Sequence, residues 1–345
     1  MLLVVMIKRI LTSVTHKIYS LPVLVLMPHS RCNCRCVMCD IWKANVEKKE
    51  ISTDDLQKHI QSFRQLGVKR VALSGGEALM HSNLWTFCES LRSIGIKISL
   101  LSTGVTLKNH ASNVIRYCDD VIVSLDGSPA VHNQIRNIPN AFEKLTEGVR
   151  ALKELNPAFK VTGRCVIQKS NFRDFEEILK TAYQLGLEQI SFLPADVSSS
   201  AFNRADPWQQ ERVEQVALDL KEAEELGKII RESFTKFEDL YINRFIAEDP
   251  QKMLQIARHY KAVLGHADYP GTKCNAPWVS AVIESNGDVL PCFFHKAYGN
   301  IHKNGFSEII NSANAIQFRK KLDVRKNETC KKCVCSLHIP FYKFA

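Results

Sequence analysis

The sequence predicts an α/β protein, a partial (β/α)6 TIM-like barrel followed by a small α+β domain. Three observations carry that prediction. Short apolar runs alternate with amphipathic stretches across residues 21–206, the alternation gives way to a charged helical segment at 207–268, and residues 269–345 turn rich in Gly, Asn and Cys. Repeated strand-then-helix units imply parallel pairing, because a parallel neighbour is reached only through a crossover connection.

The elements follow in order. Residues 1–20 form an N-terminal helical extension. Its apolar stretch MLLVVMI precedes Lys8 and Arg9 instead of following them and is too short to span a bilayer, so it starts a docking helix. That helix, expected over Ile7–Ile18, sets Lys8, Arg9, His16 and Lys17 beside Ile10, Leu11 and Val14, a pattern suited to weak contact with a membrane surface. Strands are expected at Val23–Leu26, Arg70–Leu73, Ile98–Leu101, Val121–Leu125, Val161–Ile167 and Ile190–Leu193. Between them, Ser52 ahead of Asp54 and Asp55, Ser82 ahead of Leu84 and Trp85, and Asn171 ahead of Asp174 and Phe175 mark helix starts. The run ERVEQVALDLKEAEELGKIIRES within Pro207–Leu264 is helical in composition and bridges to the last domain. There VSAVIESNGDVLPC reads as a hairpin turning at Asn286-Gly287. A core that small needs a metal staple to stand.

Composition narrows the function. The chain has 345 residues, is 45% hydrophobic and 24% charged, and can bury a substantial core. Its formal charge of +10 is scattered, with no long basic block or RNP-like aromatic motif, so a solvated basic surface fits better than a nucleic-acid footprint. Twelve cysteines without a secretory signal point away from an oxidising compartment and towards the cytoplasm, because their clustering suits metal ligation. Cys88, Cys118 and Cys165 stand apart from the clusters and read as small buried hydrophobes.

The chemistry begins in RCNCRCVMCDIW, Arg31–Trp42, directly after the first strand, where barrels of this kind place their sites. Cys32, Cys36 and Cys39 are spaced C-x3-C-x2-C, so one loop can aim three thiolates at a cubane iron–sulfur cluster and leave one metal position open. Cys34 alternates with its neighbours and would point the other way in an extended loop. A zinc loop using all four cysteines is the competing reading. At the end of the second strand, SGGEAL offers Gly75 and Gly76 for close backbone approach and Glu77 as an acceptor at the strand tip. At the end of the fourth, SLDGSPAVHNQIR supplies Ser124 and Arg136.

Together these stretches resemble the radical S-adenosylmethionine (radical SAM) superfamily. The resemblance implies that Cys32, Cys36 and Cys39 hold a [4Fe–4S] cluster whose open iron chelates the amino and carboxylate groups of S-adenosylmethionine. It further implies that the cofactor is split reductively to a 5'-deoxyadenosyl radical, with electrons from a donor such as flavodoxin or ferredoxin. The Gly75-Gly76-Glu77 motif would hold the methionine amino group, and Ser124 and Arg136 its carboxylate, which a guanidinium is suited to pair. Asn133 stands where related enzymes of the SxDGxxxxHDxxR pattern have Asp. Asp126 and His132 shape the turn. Ser102-Thr103-Gly104 occupies the place of a Thr-Asn-Gly turn but has no Asn, and backbone at Val166 and Ile167 would flank adenine.

The C-terminal cysteines form a second pattern. Cys274, twelve residues, Gly287, four residues, Cys292, and then Cys330-x2-Cys333 give two ligands across a hairpin and two in a knuckle. This resembles the start of the SPASM domain. Only Cys335 follows the last pair, so the shortened relative, the Twitch domain with one auxiliary [4Fe–4S] cluster, fits better, with Cys335 a substitute for Cys333. Structural zinc on four cysteines stays open, because spacing alone does not separate it from iron–sulfur.

The implied activity is hydrogen abstraction from a bound substrate, with the auxiliary cluster assisting oxidation or anchoring. A small molecule, sugar- or cyclitol-like, is the expected substrate, and a ribosomally made peptide or protein side chain is the alternative. A zinc-stapled nucleic-acid-binding protein and a two-cluster electron-transfer protein are readings from other classes. Asp196, Ser198, Ser199, Ser200 and Arg204, after the sixth strand, lie where a substrate should sit.

Overall fold

The computed structural model describes residues 2–204 and 206–340. Six parallel strands, β1 (Val23–Leu26), β2 (Arg70–Leu73), β3 (Lys97–Ser102), β4 (Asp120–Ser124), β5 (Lys160–Ile167) and β6 (Gln189–Pro194), lie side by side in chain order. Each is within a residue of where the apolar runs place it. The crossovers carry α2 (Thr53–Gln65), α3 (Leu84–Ser93), α4 (Leu107–Tyr117), α5 (Pro129–Arg136), α6 (Ala141–Leu155) and α7 (Phe175–Gln184), after the N-terminal α1 (Leu2–Thr15). Ser52 caps α2 by accepting from the Asp55 amide.

Alternation along the strands decides what faces the lumen. In β5, Val161, Gly163, Cys165 and Ile167 are buried against the helices, while Arg164 and Val166 line a cavity inside the barrel. The outward residues join one continuous core, with Phe63, Phe87, Phe172 and Phe175 among its largest members. Cys88, Cys118 and Cys165 are buried within it, as their sequence neighbourhoods indicated.

The bridge is α8 (Gln210–Val216), α9 (Leu220–Lys236), α10 (Glu238–Ile242) and α11 (Pro250–Val263). A capping box between Asp219 and Glu222 starts α9. The hairpin after it does not stand apart from the barrel. Its first strand, β7 (Ser280–Ile283), pairs parallel with β1, and β8 (Asp288–Leu290) and β9 (Gly299–Asn300) extend the same nine-stranded sheet. All four residues of β7 are buried, which a free hairpin could not achieve. Gly287 makes the turn at φ +87.

The first helix is displaced from its expected span: it covers Leu2–Thr15, not Ile7–Ile18. His16 takes φ +60, and the hydroxyls of Thr12 and Thr15 accept from the amides of Tyr19 and Lys17, so side chains end the helix three residues early.

Candidate active site

The cysteine loop is held from three sides. Asn45 clamps it, donating to the Cys32 carbonyl (3.0 Å) and accepting from the Cys32 amide (2.8 Å). The amides of Arg35 and Val37 donate to the carbonyls of Arg136 and Ile135 at the end of α5. His29 joins the loop to the one after β2: its Nδ1 accepts from the Arg31 amide, and its Nε2 bonds the Glu77 carbonyl at 2.6 Å. Burial holds this imidazole down at about 4, so it is neutral at physiological pH, Nδ1 accepting and Nε2 donating.

Those two loops meet backbone to backbone. The Glu77 amide donates to the Arg31 carbonyl, and a Cβ on Gly76 would lie 1.9 Å from that same oxygen. Gly75 takes φ +104. Both positions therefore require glycine, one for space and one for conformation.

A cavity of about 240 Å³ opens at the C-terminal ends of the strands. Cys32, Cys36 and Cys39 form one side of it, with Gly75, Gly76, Ser102, Thr103, Ser124 and Arg136 around them. Cys34 is fully buried away from it, its free thiol within hydrogen-bonding reach of Cys36. Glu77 is not on the wall. It is fully buried behind the glycines, where its carboxylate accepts from the Ser102 hydroxyl (3.1 Å), the Thr103 amide (2.6 Å), the Thr103 hydroxyl (2.7 Å) and the Leu79 amide (3.2 Å). Burial raises its pKa and these donors oppose the rise. The side chain expected to touch the cofactor instead sets the Ser102-Thr103 turn, whose own place on the wall the missing Asn had obscured.

Arg136 pairs with Asp126 and has Cys36 Sγ 3.5 Å from Nη1. Its buried Nε has no hydrogen-bond partner. Asp126 also accepts from the Val166 amide, tying β4 to β5. Val166 reaches the cavity; Ile167 is buried in the core. Asp196 and Arg204 are on the wall too, bonded to one another at 3.0 Å, with the Arg204 guanidinium stacked 4.0 Å over Trp208.

The second cysteine group gathers beside the barrel. Cys274 lies within electrostatic range of Cys292, Cys330, Cys333 and Cys335. Burial pushes the Cys292 thiol up to about 12 and the Cys330 thiol to about 11, a cost that a bound metal would remove. His295 Nε2 lies 3.4 Å from Cys330 Sγ, a neighbour the cysteine spacing did not announce. Among the described residues no three His, Cys, Asp or Glu side chains converge as tightly as a single ion requires. One zinc needs its thiolates on a common sphere of about 2.3 Å radius, whereas a cubane spreads them over separate irons. The donor sets, three thiols in the barrel loop and four in the C-terminal group, suit iron–sulfur clusters, and four thiols suit zinc as well.

Comparison with known proteins agrees with this geometry. The profile of the radical SAM superfamily matches residues 26–182, and that of an iron–sulfur cluster-binding domain, SPASM, matches residues 274–334. The chain belongs to the radical SAM superfamily. It is a radical SAM enzyme with a C-terminal SPASM domain, and with that membership come a [4Fe–4S] cluster, S-adenosylmethionine and an auxiliary cluster. An AdoMet-dependent heme synthase of Methanosarcina barkeri is 25% identical over 85% of this chain and 82% of its own. The subtilosin biosynthesis protein AlbA of Bacillus subtilis is 23% identical over 88% of this chain and 63% of its own. Among solved structures, SuiB of Streptococcus suis bound to its precursor peptide SuiA superposes with a TM-score of 0.67 at 14% identity, covering 94% of this chain and 74% of that one. Native anSMEcpe with bound AdoMet gives 0.59 at 20% identity over 90% and 86%. At these identities the superpositions establish the fold. No helix among the described residues is long and apolar enough to cross a membrane.

Proposed function

We propose that this radical SAM enzyme abstracts hydrogen from an acidic small molecule bound in the barrel lumen. When bound at Cys32, Cys36 and Cys39, the cluster and S-adenosylmethionine supply the 5'-deoxyadenosyl radical. Gly75, Gly76, Ser102 and Thr103 flank the methionine amino end, and Ser124 with Arg136 receives its carboxylate, the orphaned Arg136 Nε being the free donor. Cys274, Cys292, Cys330 and Cys333 hold the auxiliary cluster, in a Twitch-like arrangement, as acceptor of the substrate's electron. A small reducing protein such as flavodoxin or ferredoxin delivers the first electron, and the cytoplasm is the setting.

The observation that carries the acidic substrate is Arg164. It lines the lumen and also a second cavity of about 180 Å³ beneath the SPASM domain, so it stands where the two meet. Its Nε donates to Ser191 Oγ, and its two terminal nitrogens make no hydrogen bond or ion pair among the described residues. A half-buried guanidinium with a free fork is suited to bidentate capture of a carboxylate or phosphate. A sugar or cyclitol, by contrast, calls for several spare acceptors. Asp196 is the only carboxylate among the described lining residues of the lumen, and it is committed to Arg204. A peptide substrate is the second reading, favoured by the names of AlbA and of a PqqA peptide cyclase from Rhizobium meliloti, 23% identical over 88% of this chain.

The test is uncoupled turnover. Reconstituted, dithionite-reduced protein should slowly release 5'-deoxyadenosine from S-adenosylmethionine, and the right substrate should accelerate release. Acidic small molecules, neutral cyclitols and candidate peptides are compared, with deuterium transfer into 5'-deoxyadenosine marking the attacked carbon. Arg164→Leu should keep the slow release and lose the acceleration. Acceleration by peptides alone would replace the small molecule with the second reading.

A further inference from the structure

We propose that α1 docks the enzyme on an anionic membrane surface. The helix is built inside out. Amphipathic helices normally turn the apolar stripe to the core, yet here Arg9 and Thr12 are the buried residues, 3% and 2% exposed, while Leu3, Val4, Ile7, Ile10, Leu11 and Val14 face solvent at 42–72%. These six make up most of the eleven exposed large hydrophobics among the described residues, so the patch is particular to this helix and not a general property of the surface.

The inversion is fixed by bonds to the rest of the fold. Arg9 Nη1 donates to the Pro340 carbonyl, and the Thr12 hydroxyl donates to the Lys8 carbonyl and accepts from the Tyr19 amide. At 100° per residue the six apolar side chains fall within an arc of about 120°. That is one continuous stripe along the helix, a geometry for lying in an interfacial plane.

Charge selects the occupant. No Asp or Glu occurs before Asp40, and Lys8 borders the stripe with Lys17 just past its end. The helix Ala313–Lys321 adds the exposed Lys320 and Lys321, held at the same corner by the buried Arg319, whose Nε donates to the His16 carbonyl. An apolar stripe with a rim of lysines complements anionic headgroups. A second copy is disfavoured, because a contact between two such faces would gather the lysines of both rims, and residues 1–39 supply no Asp or Glu to offset them.

The test uses the whole cluster-loaded protein with vesicles of phosphatidylcholine alone or with about one third phosphatidylglycerol. Co-sedimentation with the anionic vesicles is expected, weakening as salt rises, and falling at least tenfold in the Ile7→Ser/Ile10→Ser/Val14→Ser variant. Those positions are exposed, so iron content and the melting temperature should not change. Lys8→Glu/Lys17→Glu should also weaken binding. No binding to either vesicle, or equal binding to both, overturns the proposal. So does a concentration-dependent dimer in light scattering that the triple variant abolishes, which would make the stripe a self-association face.

Discussion

The carboxylate of Glu77 accepts from both the amide and the hydroxyl of Thr103, at 2.6 and 2.7 Å, and so locks the loop after β2 to the loop after β3. Through its carbonyl, Glu77 also receives His29, and through its amide it reaches Arg31. Three successive βα loops thus form one rigid wall, and this one residue joins them while being itself hidden from the cavity. Replacing Glu77 by Ala should strand the Thr103 amide and cost about 2–4 kcal/mol of stability. Gln, which keeps one acceptor, should cost less. Weaker S-adenosylmethionine binding by equilibrium dialysis should accompany the lower melting temperature in Glu77→Ala. An unchanged affinity in a destabilised variant would show that the wall does not position the cofactor.

Gly76→Ala makes a sharper test of the same wall. The new methyl would meet the Arg31 carbonyl at 1.9 Å, and backbone there cannot move without displacing Cys32. Anaerobic reconstitution of the parent should give about eight irons per chain, and of Gly76→Ala or the Cys32/Cys36/Cys39→Ala variant about four. Zinc as the dominant metal in the remaining site would overturn the auxiliary cluster.

Much of this was legible in the sequence. The six strands announced themselves because runs such as RVAL and DVIVS are buried on a parallel sheet, and the cysteine spacings are local. What escaped was non-local. Nothing in SAVI says that it pairs with VLVL of β1, more than 250 residues earlier. Glu77 reads as a cofactor ligand because SGGEAL, one βα unit after the cysteine loop, resembles the motif that holds the methionine amino group. Only the tertiary arrangement of Ser102 and Thr103 turns it inward. The free fork of Arg164 is likewise a property of what its neighbours leave unpaired.

Acid should destabilise the fold through its buried histidines. His29 and His259 are held at about 4 and His132 at about 3, in each case mainly by burial. Each lies below the unfolded value of about 6.5, so the unfolded chain takes up the proton first. Stability from these groups is full above pH 6.5 and is lost as pH falls towards 4, at up to about 1.4 kcal/mol per pH unit for each proton. Glu77, shifted the opposite way, offsets part of the slope. Denaturant midpoints measured across this window should fall with pH, and His132→Phe, which removes one titrating site, should flatten the decline. A flat profile in the parent would show that these rings are accessible to protons in the folded state.

The last prediction separates Cys333 from Cys335 as the fourth auxiliary ligand. The two sit on one short stretch whose ends serve different places. Cys333 shares its surroundings with Cys292 and Cys274, and its thiol donates to the Cys335 carbonyl at 2.9 Å. Cys335 lines the barrel lumen beside Val334, and the charges that act on it most are those of Arg164, Asp196 and Lys252. The expectation is therefore that Cys333 is the ligand and that Cys335, which lines the lumen while Cys333 does not, faces the substrate space. Cys333→Ser should lower the reconstituted iron content from about eight to about four. Uncoupled release of 5'-deoxyadenosine should survive, since the barrel cysteines are untouched. Cys335→Ser should keep about eight irons and the uncoupled release, and alter only the response to substrate. If instead Cys335→Ser loses the second cluster while Cys333→Ser retains it, the chain must turn inside out at Val334 when metal binds, and the lumen wall described above would have to be redrawn.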